Sequence, residues 1–315
     1  MQDIKVFACN SAKDFSEEIC DYLGLRLGKM DSFKFKNDNN FVQYKETVRE
    51  QDIYLVQTAL PPVNENIMEL LIAIDAAKRA AAKRINVVLP YFPYSRSDKK
   101  DQPRIPITAK LMAQLLEAAG ANRIITCDLH NSAIQAYFNI QCDRLTGERL
   151  LEEYFLNKKL KNLVVVATDA GSSKRAYHYS KFFDCPMALI DKRRDDNNDD
   201  AKAVNIIGDV KGKTAIIFDD EVSTVGTLTE AAKILEAHGT KEIYAGCTHG
   251  VICGDAKEKI EKSPIKELVI TNTLPMTKDR ELDKIKVVSI APLFAEAIKR
   301  INEAKPLGDL FIYDK

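Results

Sequence analysis

Short aliphatic and β-branched runs recur along almost the whole chain, and stretches of helical hydrophobic periodicity lie between them. Runs of the strand type fall at Ile4–Ala8, Ile53–Gln57, Ile85–Leu89, Arg123–Cys127, Leu163–Thr168, Met187–Ile190, Thr214–Phe218, Glu242–Cys247, Glu267–Thr271 and Val287–Ser289. Several are apolar at consecutive positions, which suits strands covered on both faces, as in parallel sheets. Parallel neighbours need a crossover, and the intervening segments supply it. Asn64–Lys83 puts Ile67, Leu70, Leu71, Ile74 and Ala77 on one stripe, and Thr108–Ala119 does the same with Leu111, Met112, Leu115 and Leu116. Leu228–His238 stops at Gly239, a natural helix end, and a last helix is expected over Ala291–Ala304. The pattern predicts an α/β protein.

The ten strand candidates exceed one modest sheet, and 315 residues is about two domains' worth. The expected division is 1–147 and 148–299, each a mainly parallel sheet flanked by helices, with the final stretch, about 300–315, packing back on the first. Lys and Arg total 46, and Asp and Glu total 46. That balance excludes a generally cationic nucleic-acid binder. No apolar stretch approaches the roughly 20 residues of a membrane helix, and no secretory start is visible, so a cytoplasmic protein without membrane or nucleic-acid partners is expected. The seven cysteines are scattered without a CxxC, and are read as free thiols.

Open α/β sheets bind ligands where strands end. After Thr214–Phe218 come Asp219, Asp220, Glu221, Val222, Ser223, Thr224, Val225, Gly226 and Thr227, then a helix. Backbone N–H groups in such a turn, with the positive end of the helix behind them, make an anion cradle. Ser223, Thr224 and Thr227 can donate to phosphate oxygens. Asp219 and Asp220 suit sugar hydroxyls, or a cation that accompanies phosphates. Taken alone, such acids also serve as ordinary helix caps.

This loop resembles the phosphoribosyl-diphosphate-binding motif of the type I phosphoribosyltransferase fold. Four more segments narrow the resemblance: YFPYSRSDKKD at Tyr91–Asp101, Asp128-Leu129-His130, Asp191-Lys192-Arg193-Arg194 and THGV at Thr248–Val251. Together with TNTLP at Thr271–Pro275 and PRIPITAKLMAQLLEAAGA, they resemble the ribose-phosphate diphosphokinase family from end to end, in order and spacing.

The resemblance implies two similar phosphoribosyltransferase-like α/β domains. It implies transfer of the diphosphoryl group of ATP to the 1-hydroxyl of ribose 5-phosphate, with Mg2+, and self-association, commonly as hexamers. Lys192 and Arg194 match the catalytic basic pair, on a flexible loop. His130 and Asp169 match the metal-linked positions. Phe35, Asn37, Asn39, Arg96 and Asp101 match the ATP side. Asp219, Asp220, Ser223, Thr224, Val225, Gly226 and Thr227 match the ribose-phosphate site. Asn39 stands where the family commonly has Glu, Ser223 where many members have Asp, and Val225 where Ala or Gly is usual. The alternatives are a non-catalytic regulatory paralogue and a nucleobase phosphoribosyltransferase.

Overall fold

The structure is a computed structural model that describes residues 4–193 and 203–311. The chain divides into two compact units: residues 1–147, 272–275 and 289–315 form one, and residues 148–271 and 276–288 the other.

In the first unit β1 (Ile4–Ala8) leads to α1 (Lys13–Leu23), which ends at Gly24 with φ 65°, the left-handed conformation that glycine adopts without strain. A separate antiparallel hairpin follows, β2 (Met30–Lys34) and β3 (Asn40–Tyr44). The sheet then continues with β4 (Asp52–Val56), α2 (Val63–Arg79), β5 (Arg84–Leu89), α3 (Thr108–Ala119), β6 (Arg123–Cys127) and β7 (Gln141–Leu145). Its order is β1-β4-β5-β6-β7, and every pairing is parallel. All five residues of β4 are buried, as expected of a strand covered on both faces.

The second unit runs α4 (Glu148–Asn157), β8 (Leu163–Ala167), α5 (Ser173–Phe182), β9 (Met187–Arg193), β10 (Ala203–Ile207), β11 (Thr214–Val222), α6 (Gly226–Ala237), β12 (Glu242–Gly250), α7 (Ala256–Lys262), β13 (Ile265–Thr271) and β14 (Ile285–Val288). Its order is β10-β9-β8-β11-β12-β13-β14, parallel except for β10 against β9. Alternate residues point to opposite faces. Val164, Val166, Ala215, Ile217, Ala245 and Leu268 pack with α6, while Val165, Ala167, Ile216, Phe218, Tyr244 and Val269 pack with Phe155 and Tyr179. Two cores thus sandwich one sheet, which is why its strands read as continuous apolar runs.

The chain returns to the first unit at Ser289, and α8 (Ala291–Asn302) lies within it. Phe294 of α8 meets Phe15 of α1 edge to face at 5.5 Å. The boundary expected at 299 therefore falls inside a helix.

The expected α/β architecture of parallel sheets flanked by helices is the one found. Three local expectations are corrected. The strand expected to stop at Phe218 continues through Val222, because Asp219, Glu221 and Val222 keep pairing with Cys247, His249 and Gly250 of β12. The strand expected to stop at Ile190 continues to Arg193, because β10 folds back beside it. Lys192, expected on a flexible loop, is consequently a strand residue, with Val204 as its backbone partner. Arg194 lies outside the described residues.

Candidate functional site

In the second unit the strand order reverses between β8 and β11, since β9 and β10 lie to one side and β12 to β14 to the other. Such a switch point opens a crevice at the carboxyl ends of the two strands. Asp169 follows β8, and Asp219 to Thr227 close β11 and open α6. The last paired residues there are Val166 and Ile217, so the acids on both sides lie two or three residues beyond a common rung.

Asp169 is exposed and caps a single 3-10 turn, Ala170–Ser172. Its Oδ1 accepts from the Ser172 N–H at 2.8 Å, and Ser172 Oγ accepts from the Asp169 N–H at 3.2 Å. This reciprocal box fixes the direction in which the carboxylate leaves the strand.

Asp219 and Asp220 share one cation. Arg175 of α5 donates from Nη1 to Asp219 Oδ1 and from Nη2 to Asp220 Oδ1, both at 2.6 Å. Burial pushes the Asp219 carboxyl up to about 6, with Arg175 pulling it down and Asp220 adding to the rise. Burial acts against the charge of Arg175, but Asp220 and Asp219 outweigh it and hold the guanidinium firmly protonated.

Beyond the acids the chain turns sharply. Val225 is the residue before α6 and takes φ 52°, ψ 11°, a left-handed conformation rare for a β-branched side chain. Its side chain is nevertheless buried in the core under α6. The turn leaves Thr224 and Thr227 exposed, with Ser223 and Gly226 partly so. Ser223 Oγ lies 3.2 Å from Cys253 Sγ, and the Cys253 N–H donates to the Ser223 carbonyl at 3.1 Å.

The remaining candidates lie in the first unit. Because β5 and β6 are neighbours, the loops that leave their carboxyl ends are neighbours too. One carries Arg96 and Asp101, both exposed, and the other carries the exposed His130. Phe35, Asn37 and Asn39 form the tip of the β2–β3 hairpin. The Phe35 N–H donates to the Asn39 carbonyl at 2.9 Å, and Asn37 Oδ1 accepts from the Asn39 N–H at 3.3 Å. Phe35 is 50 % exposed and stands 5.3 Å from Phe33 and 5.6 Å from Phe41, so the tip presents an aromatic surface to solvent. The β2–β3 arm is seated by Tyr44, whose hydroxyl donates to the Ala73 carbonyl of α2 at 2.9 Å.

Arg175 was not singled out in the sequence. The available signal is that Lys174 and Arg175 occupy the first turn of α5, which has no acidic residue. Cations there oppose the helix dipole, a cost that points to acids nearby. His178 of α5 pairs with Glu152 of α4 at 3.0 Å and is part of the packing between those helices.

Residues 4–120 match the family model described as the N-terminal domain of ribose phosphate pyrophosphokinase, and residues 195–312 the one described as the phosphoribosyl synthetase-associated domain. The chain is 49 % identical to the ribose-phosphate pyrophosphokinase of Caldanaerobacter subterraneus subsp. tengcongensis over 98 % of each chain. It is 45 % identical to that of Bacillus subtilis, again over 98 % of each. The crystal structure of phosphoribosylpyrophosphate synthetase from Mycobacterium smegmatis superposes with a TM-score of 0.91 at 36 % identity, covering 96 % of this chain and 99 % of that one. With both family models and near-complete relatives in agreement, the chain belongs to the ribose-phosphate pyrophosphokinase family.

Proposed function

We propose that this protein transfers the diphosphoryl group of ATP to the 1-hydroxyl of ribose 5-phosphate, giving AMP and phosphoribosyl diphosphate. The sugar oxygen attacks the β-phosphorus of ATP. The bond from that phosphorus to the oxygen bridging it to the α-phosphorus breaks, AMP leaves with that oxygen, and the hydroxyl proton is lost. Such a step depends on positioning and on charge stabilisation around the moving phosphates.

The observation that carries this reading is the acid pair and hydroxyl-rich turn at the switch point of the second unit. Thr224, Gly226 and Thr227 sit at the amino end of the twelve-residue α6, a suitable seat for a sugar phosphate. Asp219 and Asp220 already carry a guanidinium between them. That favours acceptance of sugar hydroxyls over permanent capture of a metal. Among the described residues no three His, Cys, Asp or Glu side chains converge as a metal centre. Mg2+ fits without one, since it keeps most of its water and takes one or two carboxylates along with substrate phosphates. Asp169 of the second unit and His130 of the first, each exposed, are proposed separately as metal-linked residues, and Mg2+ when bound would neutralise phosphate charge. Lys192 and Arg194 are proposed to stabilise the charge on the transferred group. Phe35 supplies a face for adenine, with Asn37, Asn39, Arg96 and Asp101 as the polar contacts. Self-association, as hexamers, is part of the same proposal. Among the described residues no helix is long and apolar enough to cross a membrane.

The test is AMP formation from ATP and ribose 5-phosphate with Mg2+. Turnover that stops with EDTA and returns with Mg2+ supports the reading. A folded protein that forms no AMP overturns it and leaves the non-catalytic relative. Lys192→Ala is expected to abolish turnover while ribose 5-phosphate still binds in calorimetry; unchanged turnover would remove Lys192 from the role.

A further inference from the structure

The two neighbouring loops of the first unit are tied together by a residue that the proposed chemistry does not use. Asp98 is 4 % exposed, although Arg96, Lys99 and Lys100 around it are exposed. Its Oδ2 accepts from Asn131 Nδ2 at 2.7 Å, and its backbone carbonyl accepts from the Tyr137 hydroxyl. Asn131 and Tyr137 are the cap and the last residue of one 3-10 turn, Ser132–Tyr137, so this turn grips residue 98 from both ends.

The orientation of the Asn131 amide is settled by its other bond. The Ala133 N–H donates to Asn131 Oδ1 at 3.0 Å. A backbone N–H can meet only the amide oxygen, so the NH2 group must face Asp98. On the other side the loop is tied to α3, where the Ala109 N–H donates to the Ser97 carbonyl at 3.1 Å and Ser97 Oγ donates to Thr108 Oγ1 at 3.2 Å. Residues 97 and 98 are therefore anchored, and Arg96 projects from the anchored end. His130 immediately precedes Asn131.

An apolar residue at position 98 would anchor the loop by burial alone, without direction. A carboxylate there is costly to bury unless it is hydrogen-bonded. What it adds is a bond of fixed length and angle to the residue beside His130.

We propose that Asp98 is a positioning residue: through Asn131 it sets the separation of Arg96 from His130, so that one ATP with its accompanying ion meets both loops in a single geometry. The proposal rests on the ATP-dependent reading above. Two short side chains on different loops carry it, and the bond between them can be reversed without loss of any partner. In the double variant Asp98→Asn with Asn131→Asp, the amide at 98 donates to the carboxylate at 131. The second carboxylate oxygen still accepts from the Ala133 N–H.

The experiment compares wild type, Asn131→Ala, Asn131→Asp and the double variant by steady-state kinetics, calorimetric ATP binding and thermal melting. Asn131→Ala and Asn131→Asp should raise KM and Kd for ATP about tenfold, as for loss of one hydrogen bond to a charged group, with KM for ribose 5-phosphate within about twofold. The double variant should return the ATP values to within about twofold of wild type. The proposal is overturned if Asn131→Ala lowers the melting temperature but leaves the ATP constants unchanged, because the contact is then structural only. It is also overturned if the double variant melts like wild type yet binds ATP no better than Asn131→Asp. Wild type that binds ATP without forming AMP overturns the transfer reaction alone, and the coupling is then read in Kd. Folded wild type that binds no ATP overturns both.

Discussion

Asp219 is the residue where stability and use conflict most plainly. Its carboxyl is raised in the folded protein, with burial as the leading cause. A raised folded-state value means that the group favours the folded state at low pH and loses that contribution as pH rises through about 6. At pH 8 the folded protein bears a half-buried charge that the unfolded chain keeps fully in water. Asp219→Asn removes this burden and keeps an acceptor for Arg175. Its melting temperature should exceed wild type at pH 8, and the gap should shrink at pH 5. The side chain is 36 % exposed, so solvent screening limits the gain to about 1 kcal/mol. AMP formation should fall in the same variant, because the charge proposed to meet the sugar is gone. A second residue-scale prediction concerns Cys253, partly exposed and 3.2 Å from Ser223 Oγ. Its alkylation, followed by peptide mass mapping, should slow with added ribose 5-phosphate if that ligand occupies the adjoining turn as proposed. Cys9, Cys127 and Cys247 are buried with thiols pushed well up by that burial, and should stay unlabelled in the native protein.

At the scale of the element, the β11–α6 turn holds a β-branched residue at positive φ. Two terms oppose each other at Val225: strain of about 1–2 kcal/mol from the left-handed backbone, and a similar gain from burying the side chain. Val225→Gly gives up both and should leave stability within about 1 kcal/mol of wild type. Val225→Ala keeps the strain and loses the packing, so it should destabilise by about 1–2 kcal/mol. Urea unfolding of the two variants decides the point, and an alanine variant as stable as the glycine one would refute the account. The sequence displayed the central strands well, because β4 and β8 are buried on both faces and read as unbroken apolar runs. The β2–β3 hairpin was not legible as strands. Met30–Lys34 and Asn40–Tyr44 mix apolar with polar residues, none of them fully buried, and they pair with each other in a two-stranded sheet of their own.

For the whole molecule, the second unit is inserted into the first, which is completed only by residues 272–275 and 289–315. Helix α1 buries Phe15, Ile19 and Leu23, and α8 buries Phe294, Ala295 and Ile298. These two helices pack on each other. A fragment of residues 1–147 lacks α8 and exposes that face of α1. It should be less soluble and less stable than the same fragment fused through a short linker to residues 289–311. Circular dichroism melts of the two fragments check this, and equal stability would show that α8 contributes little. The expected self-association is measured by sedimentation, as a multiple of the 35.4 kDa chain.

What the sequence determined by itself is everything carried by local pattern: the α/β class, the central strands, and the hydroxyl-rich turn before α6. Those features depend on which neighbouring residues are apolar, and periodicity records that directly. The tertiary structure alone decided which loops became neighbours. Arg175 reaches Asp219 and Asp220 only because β8 lies beside β11, and Asp98 reaches Asn131 only because β5 lies beside β6. Strand order is set by the packing of the whole sheet, over separations of 44 and 33 residues for those two contacts. The windows of about 11–18 residues in which periodicity is read never contain both partners.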